Sequence, residues 1–253
     1  MKVKFLGTGT SQGVPVIACK CEVCTSLDFR DKRLRVSVNI EVDGLSLIID
    51  AGPDFRQQMI RENIVDMDAL LFTHEHKDHT AGMDDIRSFN HKDKRAMPVY
   101  GTLNVLNQIK QEFSYIFQNT GYPGIPQVDL HEITTEAFFI GDVAVIPIQV
   151  MHYKLPVLGY RIKDFTYITD ANYIAPEELA KIKGTKVLVV NALQKEPHIS
   201  HFTLAQALAL VAEIAPEKAY FIHMSHKMGL HASVQKELPA NIFLAYDGLN
   251  LHL

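Results

Sequence analysis

The sequence predicts an α/β protein of two similar layers whose strand ends face a shared cleft. Three observations carry that expectation. Apolar residues make up 47% and charged ones 21% of the 253 residues, a composition that excludes collagen-like, low-complexity and disordered chains. Strand-like runs rich in Val, Ile and Leu arrive both in succession and alternating with helical stretches, so the chain is not a simple βαβ series. The pattern also echoes itself. Residues 47–50, ending in Asp50, are followed by a helical stretch and then by 70–76, ending in His74-Glu-His76; residues 167–170, ending in Asp170, are followed by a helix, more chain, and 220–226, which carries His223 and His226. The intervals differ, which excludes a tandem repeat of fixed period. Asp commonly follows a strand, so coincidence is the competing explanation.

Along the chain, the strand candidates are 3–6, 36–42, 45–50, 69–73, 99–100, 143–150, 158–162, 166–169, 186–190, 219–222 and 242–245. Helices fall between some of them. Asp54-x-x-Gln57 is placed to cap one that ends near Asn63, and Thr102 opens a longer one through Phe117. Pro176 and Gly184 frame a third, and Thr203-x-x-Gln206 is a capping box for a fourth that Pro216 stops. No Ser/Gly- or Pro-rich linker divides the chain, so residues 1–253 read as one domain. No apolar run reaches the roughly 18–20 residues of a membrane span, and the start MKVKFLGTGTS lacks the apolar stretch of a signal peptide. Three cysteines inside six positions make no disulfide framework, and a cytoplasmic protein is the expectation. A net charge of −4 offers no basic field for long nucleic acid.

The densest chemistry lies in Thr73-His74-Glu75-His76-Lys77-Asp78-His79, directly after an apolar run and so at a strand's C-terminal end. A solvated loop has no need of three imidazoles and a carboxylate packed so closely, and protonated imidazoles at this spacing would repel. Neutral imidazole is a good ligand for zinc, and carboxylate suits harder ions such as manganese. His74 and His76, two apart on extended chain, can point to one side; Asp78 and His79, past the turn, can reach a second ion.

His-x-His-x-Asp-His resembles the signature of the metallo-β-lactamase superfamily. The resemblance implies a four-layer αββα sandwich with a dinuclear metal site at the edge between its two sheets, and it calls for three further ligands. His152, Asp170 and His223 each follow a strand candidate and match them. On this reading His74, His76 and His152 hold one ion, Asp78, His79 and His223 the other, and Asp170 bridges. An aspartate at the bridging position is typical of the phosphodiesterase and thioesterase branches, whereas the best-known antibiotic-hydrolysing enzymes have cysteine there.

Cys19-x-Cys21-x-x-Cys24 offers three thiolates at a spacing that suits one tetrahedral ion, with a vacancy that His226 could fill. The alternative is a set of reduced surface thiols. A closed Cys3His site has no open coordination position, so its zinc should be structural. This cluster narrows the family. Gly7-Thr-Gly-Thr-Ser-Gln12-Gly13-Val14-Pro15, the cysteines, Leu-Ile-Ile-Asp50-Ala-Gly52 and Ile222-His223-Met-Ser-His226 are similar to the PhnP-like phosphodiesterases, and the match covers nearly the whole chain. The resemblance implies hydrolysis of small or cyclic phosphodiesters, such as ribosyl or nucleoside cyclic phosphates. It also implies two active-site divalent ions, zinc or manganese, and a separate structural zinc.

Two ions roughly 3.5–4 Å apart can hold a hydroxide between them and clamp phosphoryl oxygens. A further group is then needed to neutralise the phosphoryl charge or protonate the leaving oxygen. His201, in Pro197-His198-Ile-Ser-His201-Phe-Thr203, stands just before the capping box, where a helix N-terminus favours anions. Asp78 could take a proton as well as bind metal, though a ligand carboxylate is a weak base. The segment 113–128, with Phe113, Tyr115, Phe117, Tyr122 and Pro123, could cover the cleft, although aromatic residues so spaced more often pack a helix. His91 and His198 receive no role. The expected partner is a small phosphodiester, with no membrane and no long nucleic acid; the oligomeric state stays open, a homodimer included. The competing functions are a tRNase Z-like RNA-processing nuclease, for which no basic Gly/Pro-rich arm is present, and a non-catalytic metal-binding or redox-sensing protein.

Overall fold

The computed structural model describes residues 1–118, 122 and 124–253. Among these residues the first sheet contains β1 (Lys2–Gly7), β2 (Ser37–Val42), β3 (Leu45–Ile49), β4 (Ala69–Leu71), β5 (Met97–Gly101) and β6 (Val128–Glu132) in sequence order. A short β7 (Phe138–Ile140) leads into the second sheet, pairing with β8 (Val143–His152). That sheet continues with β9 (Leu155–Ile162), β10 (Phe165–Tyr167), β11 (Tyr173–Ile174), β12 (Val187–Asn191), β13 (Lys218–Ile222) and β14 (Ile242–Leu244), in the order β11-β8-β9-β10-β12-β13-β14. The last strand, β15 (Asn250–His252), returns to the outer edge of the first sheet beside β1. The helices are α1 (Glu22–Thr25), α2 (Phe55–Arg61), α3 (Lys77–Thr80), α4 (Arg87–Asp93), α5 (Leu103–Glu112), α6 (Ser114–Phe117), α7 (Pro176–Ile182), α8 (Leu204–Ile214) and α9 (His231–Gln235).

The layering follows from the period of two along each strand. In β3, Leu47 and Ile49 join the core between the sheets, where they meet Leu158, Tyr160, Tyr167 and Val189 of the second sheet. Ile48, between them, faces the other way and packs with Phe55 of α2, Phe89 of α4 and Ile109 of α5. The second sheet is built alike: Val189 points inward, while Leu188 and Val190 pack against Leu204, Ala207 and Val211 of α8. Both sheets are therefore apolar on both faces, and each is roofed by helices. This is the αββα sandwich.

The sheets share a second property that locates the site. Strands β3, β4, β5 and β6 run parallel, as do β10, β12, β13 and β14. Parallel strands deliver their C-terminal ends to one edge, where loops can converge. Asp50 follows β3, His74 follows β4, Asp170 follows β10 and His223 follows β13. Asp50, Asp170 and His223 all adopt left-handed backbone, with φ of 64°, 55° and 56°. For non-glycine residues that is strained, a conformation that persists only where the surroundings enforce it.

Several local expectations differ from the structure. Asp54 does not cap α2; its carboxylate instead accepts from the Arg35 backbone N–H at 2.8 Å and pairs with the Arg35 guanidinium. The helix opened by Thr102 breaks at Phe113 into α5 and α6. Within the 113–128 segment, Phe113 packs on the helix-side core of the first sheet and the Tyr115 hydroxyl donates to Asp84; Pro123 lies outside the described residues. The capping box at Thr203 is present in both directions.

Candidate metal centre

The chain bends at Glu75, His76 is extended, and α3 begins immediately after it. His74 and His76 therefore project together, with His74 Nε2 3.0 Å from His76 Nδ1, while Asp78 and His79 turn back into the first helical turn. The α3 turn is braced from below: the Ala51 N–H donates to the His79 carbonyl at 2.7 Å, and the Gly82 N–H to the Ala51 carbonyl at 2.8 Å. Gly52 lies so close to this turn that a Cβ there would fall 2.0 Å from the Asp78 carbonyl oxygen.

The structure brings the sequence-predicted residues into two adjoining groups. His74, His76 and His152 form one, and Asp78, His79, Asp170 and His223 the other, the potential ligand atoms of each lying within 4.8 Å of one another. Asp170 faces both. Its Oδ1 is 3.2 Å from His223 Nε2 and 3.5 Å from His79 Nε2, while its Oδ2 is 3.8 Å from His74 Nε2 and 3.9 Å from His152 Nε2. Asp78 Oδ2 is 3.2 Å from His79 Nε2 and 3.7 Å from His223 Nε2.

Tautomers are fixed by the hydrogen bonds behind the rings. His79 Nδ1–H donates to Asp50 Oδ2 at 2.7 Å, and His152 Nδ1–H to the Ser200 carbonyl at 2.9 Å. The Thr73 hydroxyl donates to Asp50 and so accepts from His74 Nδ1–H at 3.0 Å. All three rings thus turn Nε2 toward the centre, the orientation that outer partners give metal-binding histidines. Asp50 orients His79 directly and His74 through Thr73. The sequence marks Asp50 as a strand end and as part of the Leu-Ile-Ile-Asp50-Ala-Gly52 motif but assigns it no role; its place in the echo of Asp170 is the available signal.

The donor set fits divalent ions. His79 Nε2 and both nitrogens of His223 are buried without a hydrogen-bond partner, an arrangement that is costly unless something ligates them. The electrostatics agree. Burial opposes a charge on His79, yet Asp170, Asp50 and Asp78 together hold its proton well above the usual imidazole range. Burial likewise opposes charge on Asp170 and Asp78, but His223 and His79 on the first, and His79 and His223 on the second, keep both carboxyls well below the usual range. A cation entering this field would displace the proton from His79.

His201 Nε2 sits 3.2 Å from Asp170 Oδ2, on the rim of the same centre. Burial pushes it down to about 4, against the pull of Asp170, so the ring is neutral at pH 7. The helix behind it supplies less than a bare N-terminus would. The N–H groups of Thr203, Leu204 and Gln206 are already bonded to Gln206 Oε1, the Gln194 carbonyl and Thr203 Oγ1, leaving the α8 dipole as the main contribution. His198 is drawn in as well, its Nδ1 3.2 Å from that of His201. His91 lies exposed on α4.

The second cluster also assembles. His226 Nδ1 is 3.2, 3.4 and 3.5 Å from the sulfurs of Cys19, Cys21 and Cys24, and none of the three is in a disulfide. The Cys24 backbone N–H is the main influence lowering the Cys21 thiol to about 6, while burial raises Cys24 to about 11. This cluster ties the N-terminal loop to the segment that carries His223.

Residues 46–224 match the β-lactamase superfamily domain, and with this fold and site the chain belongs to the metallo-β-lactamase superfamily. Within it the chain is a member of the PhnP family. The crystal structure of a new diphosphatase from that family is 37% identical and superposes with a TM-score of 0.93, covering 99% of this chain and 96% of that one. An octanoyltransferase of Porphyromonas gingivalis is 40% identical over 98% of this chain, but the chain spans only 51% of that relative's length. Zinc-bound PqqB from Methylobacterium extorquens, 19% identical with a TM-score of 0.81 and each chain fully covered, shares the fold.

Proposed function

We propose that this hydrolase cleaves small phosphodiesters, cyclic phosphates of sugars or nucleosides among them, at a centre of two divalent ions. The observation that carries the reading is the placement of Asp170, one carboxylate oxygen toward His79 and His223 and the other toward His74 and His152. His74, His76 and His152 would hold one ion, and Asp78, His79 and His223 the other, with Asp170 shared. Such ions, zinc or manganese, supply Lewis acidity toward phosphoryl oxygens and a nucleophile drawn from water near neutral pH. The Cys3His cluster would hold a structural zinc, and its reduced thiols support a cytoplasmic setting.

The protein's own groups do the rest. His201 offers an N–H beside Asp170 and acts on the phosphoryl group; a neutral ring is suited to donating a hydrogen bond, and an arriving phosphate anion favours its protonated form as well. Asp78, held as a carboxylate, orients its neighbours and is a weak base. Among the described residues no helix is long and apolar enough to cross a membrane.

A second reading has its own support. The 37% identical relative is a diphosphatase, so a phosphoric anhydride is the alternative substrate class at the same centre. The test is hydrolysis of bis-p-nitrophenyl phosphate and a ribose cyclic phosphate beside a nucleoside diphosphate and a 3′-extended tRNA. Turnover of the two diesters with Asp170-dependent rates is expected. Turnover of the anhydride alone, or of the tRNA alone, would overturn the diester reading.

A further inference from the structure

The left-handed turn at Asp170 needs an enforcer, and none of the proposed ligands supplies it. The ladder between β10 and β12 runs out at Tyr167 and Val189, with a last bond from the Ile168 N–H to the Val189 carbonyl at 2.8 Å. Beyond it the chain reverses through Asp170, φ 55°. On the far side of that reversal stands Asn191, the final residue of β12, with no solvent exposure. Its Oδ1 accepts from the Ala171 N–H at 2.8 Å, and its Nδ2 donates to the Ala171 carbonyl at 2.9 Å. The side-chain amide thus stands in for a strand's peptide group and grips both polar atoms of the residue after Asp170.

Two further bonds give this grip its reach. The Ala171 carbonyl also accepts from the Phe202 N–H at 2.7 Å, immediately after His201. The backbone of Asn191 pairs with Ile222, immediately before His223, and the Ala192 N–H donates to the Ile222 carbonyl at 2.9 Å. Asp170, His201 and His223 arrive on three separate segments; Asn191 bonds Ala171 beside Asp170 and pairs with Ile222 beside His223, and Ala171 in turn bonds Phe202 beside His201. We infer that Asn191 is the positioning residue of the metal centre: by clamping Ala171 it sets the orientation in which Asp170 presents one oxygen to each group of histidines. The inference rests on the reading of Asp170 as a shared ligand. Only an amide meets the requirement in full, since Ala171 presents one donor and one acceptor side by side.

The test is retention of zinc by the purified protein under a graded chelator challenge, with Asn191→Ala, Asn191→Asp and a control, Leu188→Ala. Leu188 is equally buried in the same strand but packs against the helices. Loss of an outer partner typically weakens metal binding about 10–100-fold. That loss is expected for Asn191→Ala at the active centre, with the zinc of the cysteine cluster retained. Asn191→Asp, which keeps the acceptor and the volume but loses the donor, should fall between Asn191→Ala and the wild type. Leu188→Ala should lower the melting temperature without this selective loss. Hydrogen exchange adds a measurement on the wild type, independent of whether any variant folds: the Ala171 amide should be protected like a strand interior. Wild-type zinc retention in a folded Asn191→Ala, equal weakening in Leu188→Ala, or an Ala171 amide exchanging like open loop would each overturn the inference while leaving the metal centre standing. A wild type that holds no active-centre metal would instead remove the reading on which it rests.

Discussion

Gly52→Ala is the smallest change that should disable the centre without touching a ligand. The added Cβ would lie 2.0 Å from the Asp78 carbonyl oxygen, where ordinary contact begins at 3.4 Å. The two backbones must therefore part by about 1.4 Å, and there is no flexible side chain to give way. The segment that must move is α3, which carries Asp78 and His79. Metal sites tolerate displacements of only about 0.2 Å in ligand distance, so the shift exceeds the tolerance several-fold. Parting them also strains the bond from the Ala51 N–H to the His79 carbonyl. Overpacking a tight interior costs about 1–3 kcal/mol. The variant should fold, melt several degrees lower, and lose most of its turnover of bis-p-nitrophenyl phosphate together with ions bound through Asp78 and His79. Metal content and thermal melting on the same preparation measure both effects. Wild-type melting and turnover in Gly52→Ala would show that α3 is not held as described.

Further expectations can be checked singly. His76→Ala should abolish diester hydrolysis yet leave a folded protein, because the sandwich is held by apolar burial and His76 lies exposed at a strand end; circular dichroism beside the rate assay decides it. Cys21→Ser should reduce the melting temperature more than it reduces turnover per folded molecule, as loss of a structural zinc would; unchanged melting would count against a metal there. His201→Ala should lower kcat by roughly 10²–10⁴-fold with metal content unchanged. Equal losses on bis-p-nitrophenyl phosphate and on a ribose cyclic phosphate would assign His201 to the phosphoryl group, and a larger loss on the cyclic phosphate to leaving-group protonation. Burial chiefly, with the Arg33 guanidinium, pushes His231 down from 6.5 to about 4. The unfolded chain therefore binds a proton that the folded one refuses between these values, so stability should be flat above about pH 6.5 and fall as pH drops toward 4. His201 is held near the same value and titrates in the same window, so His231→Gln should make that limb shallower in urea titrations; an unchanged slope would remove His231 from it.

Much of this architecture is legible in the chain because its signals are local. The histidine motif directly follows an apolar strand, and the Asp-then-His echo places two half-structures with strand ends at one edge. What escapes notice is what tertiary context decides. Strand β6 carries Asp129, His131 and Glu132 and survives as the edge partner of β5, where propensity alone argues against it. Asp54 looks like a helix cap but is claimed by Arg35, a partner nineteen residues away. The supporting residues of the centre, Asp50, Thr73 and Asn191, act through hydrogen bonds to residues at least twenty positions distant or to a neighbouring ring. No spacing rule reveals such partners. His201 is legible through the capping box that follows it, while its place beside Asp170 and the neutrality of its ring, set by burial, come only from the packed structure.

If Asp170 joins two metal positions in one hydrolytic centre, losing it must cost both metal and turnover. The most direct measurement is elemental analysis of the purified wild type, Cys21→Ser and Asp170→Ala, with diester turnover on the same samples. About three ions per chain are expected in the wild type, one of them lost in Cys21→Ser and the active-centre pair lost or halved in Asp170→Ala along with all turnover. A folded Asp170→Ala protein that keeps its full metal complement and its activity would contradict that expectation.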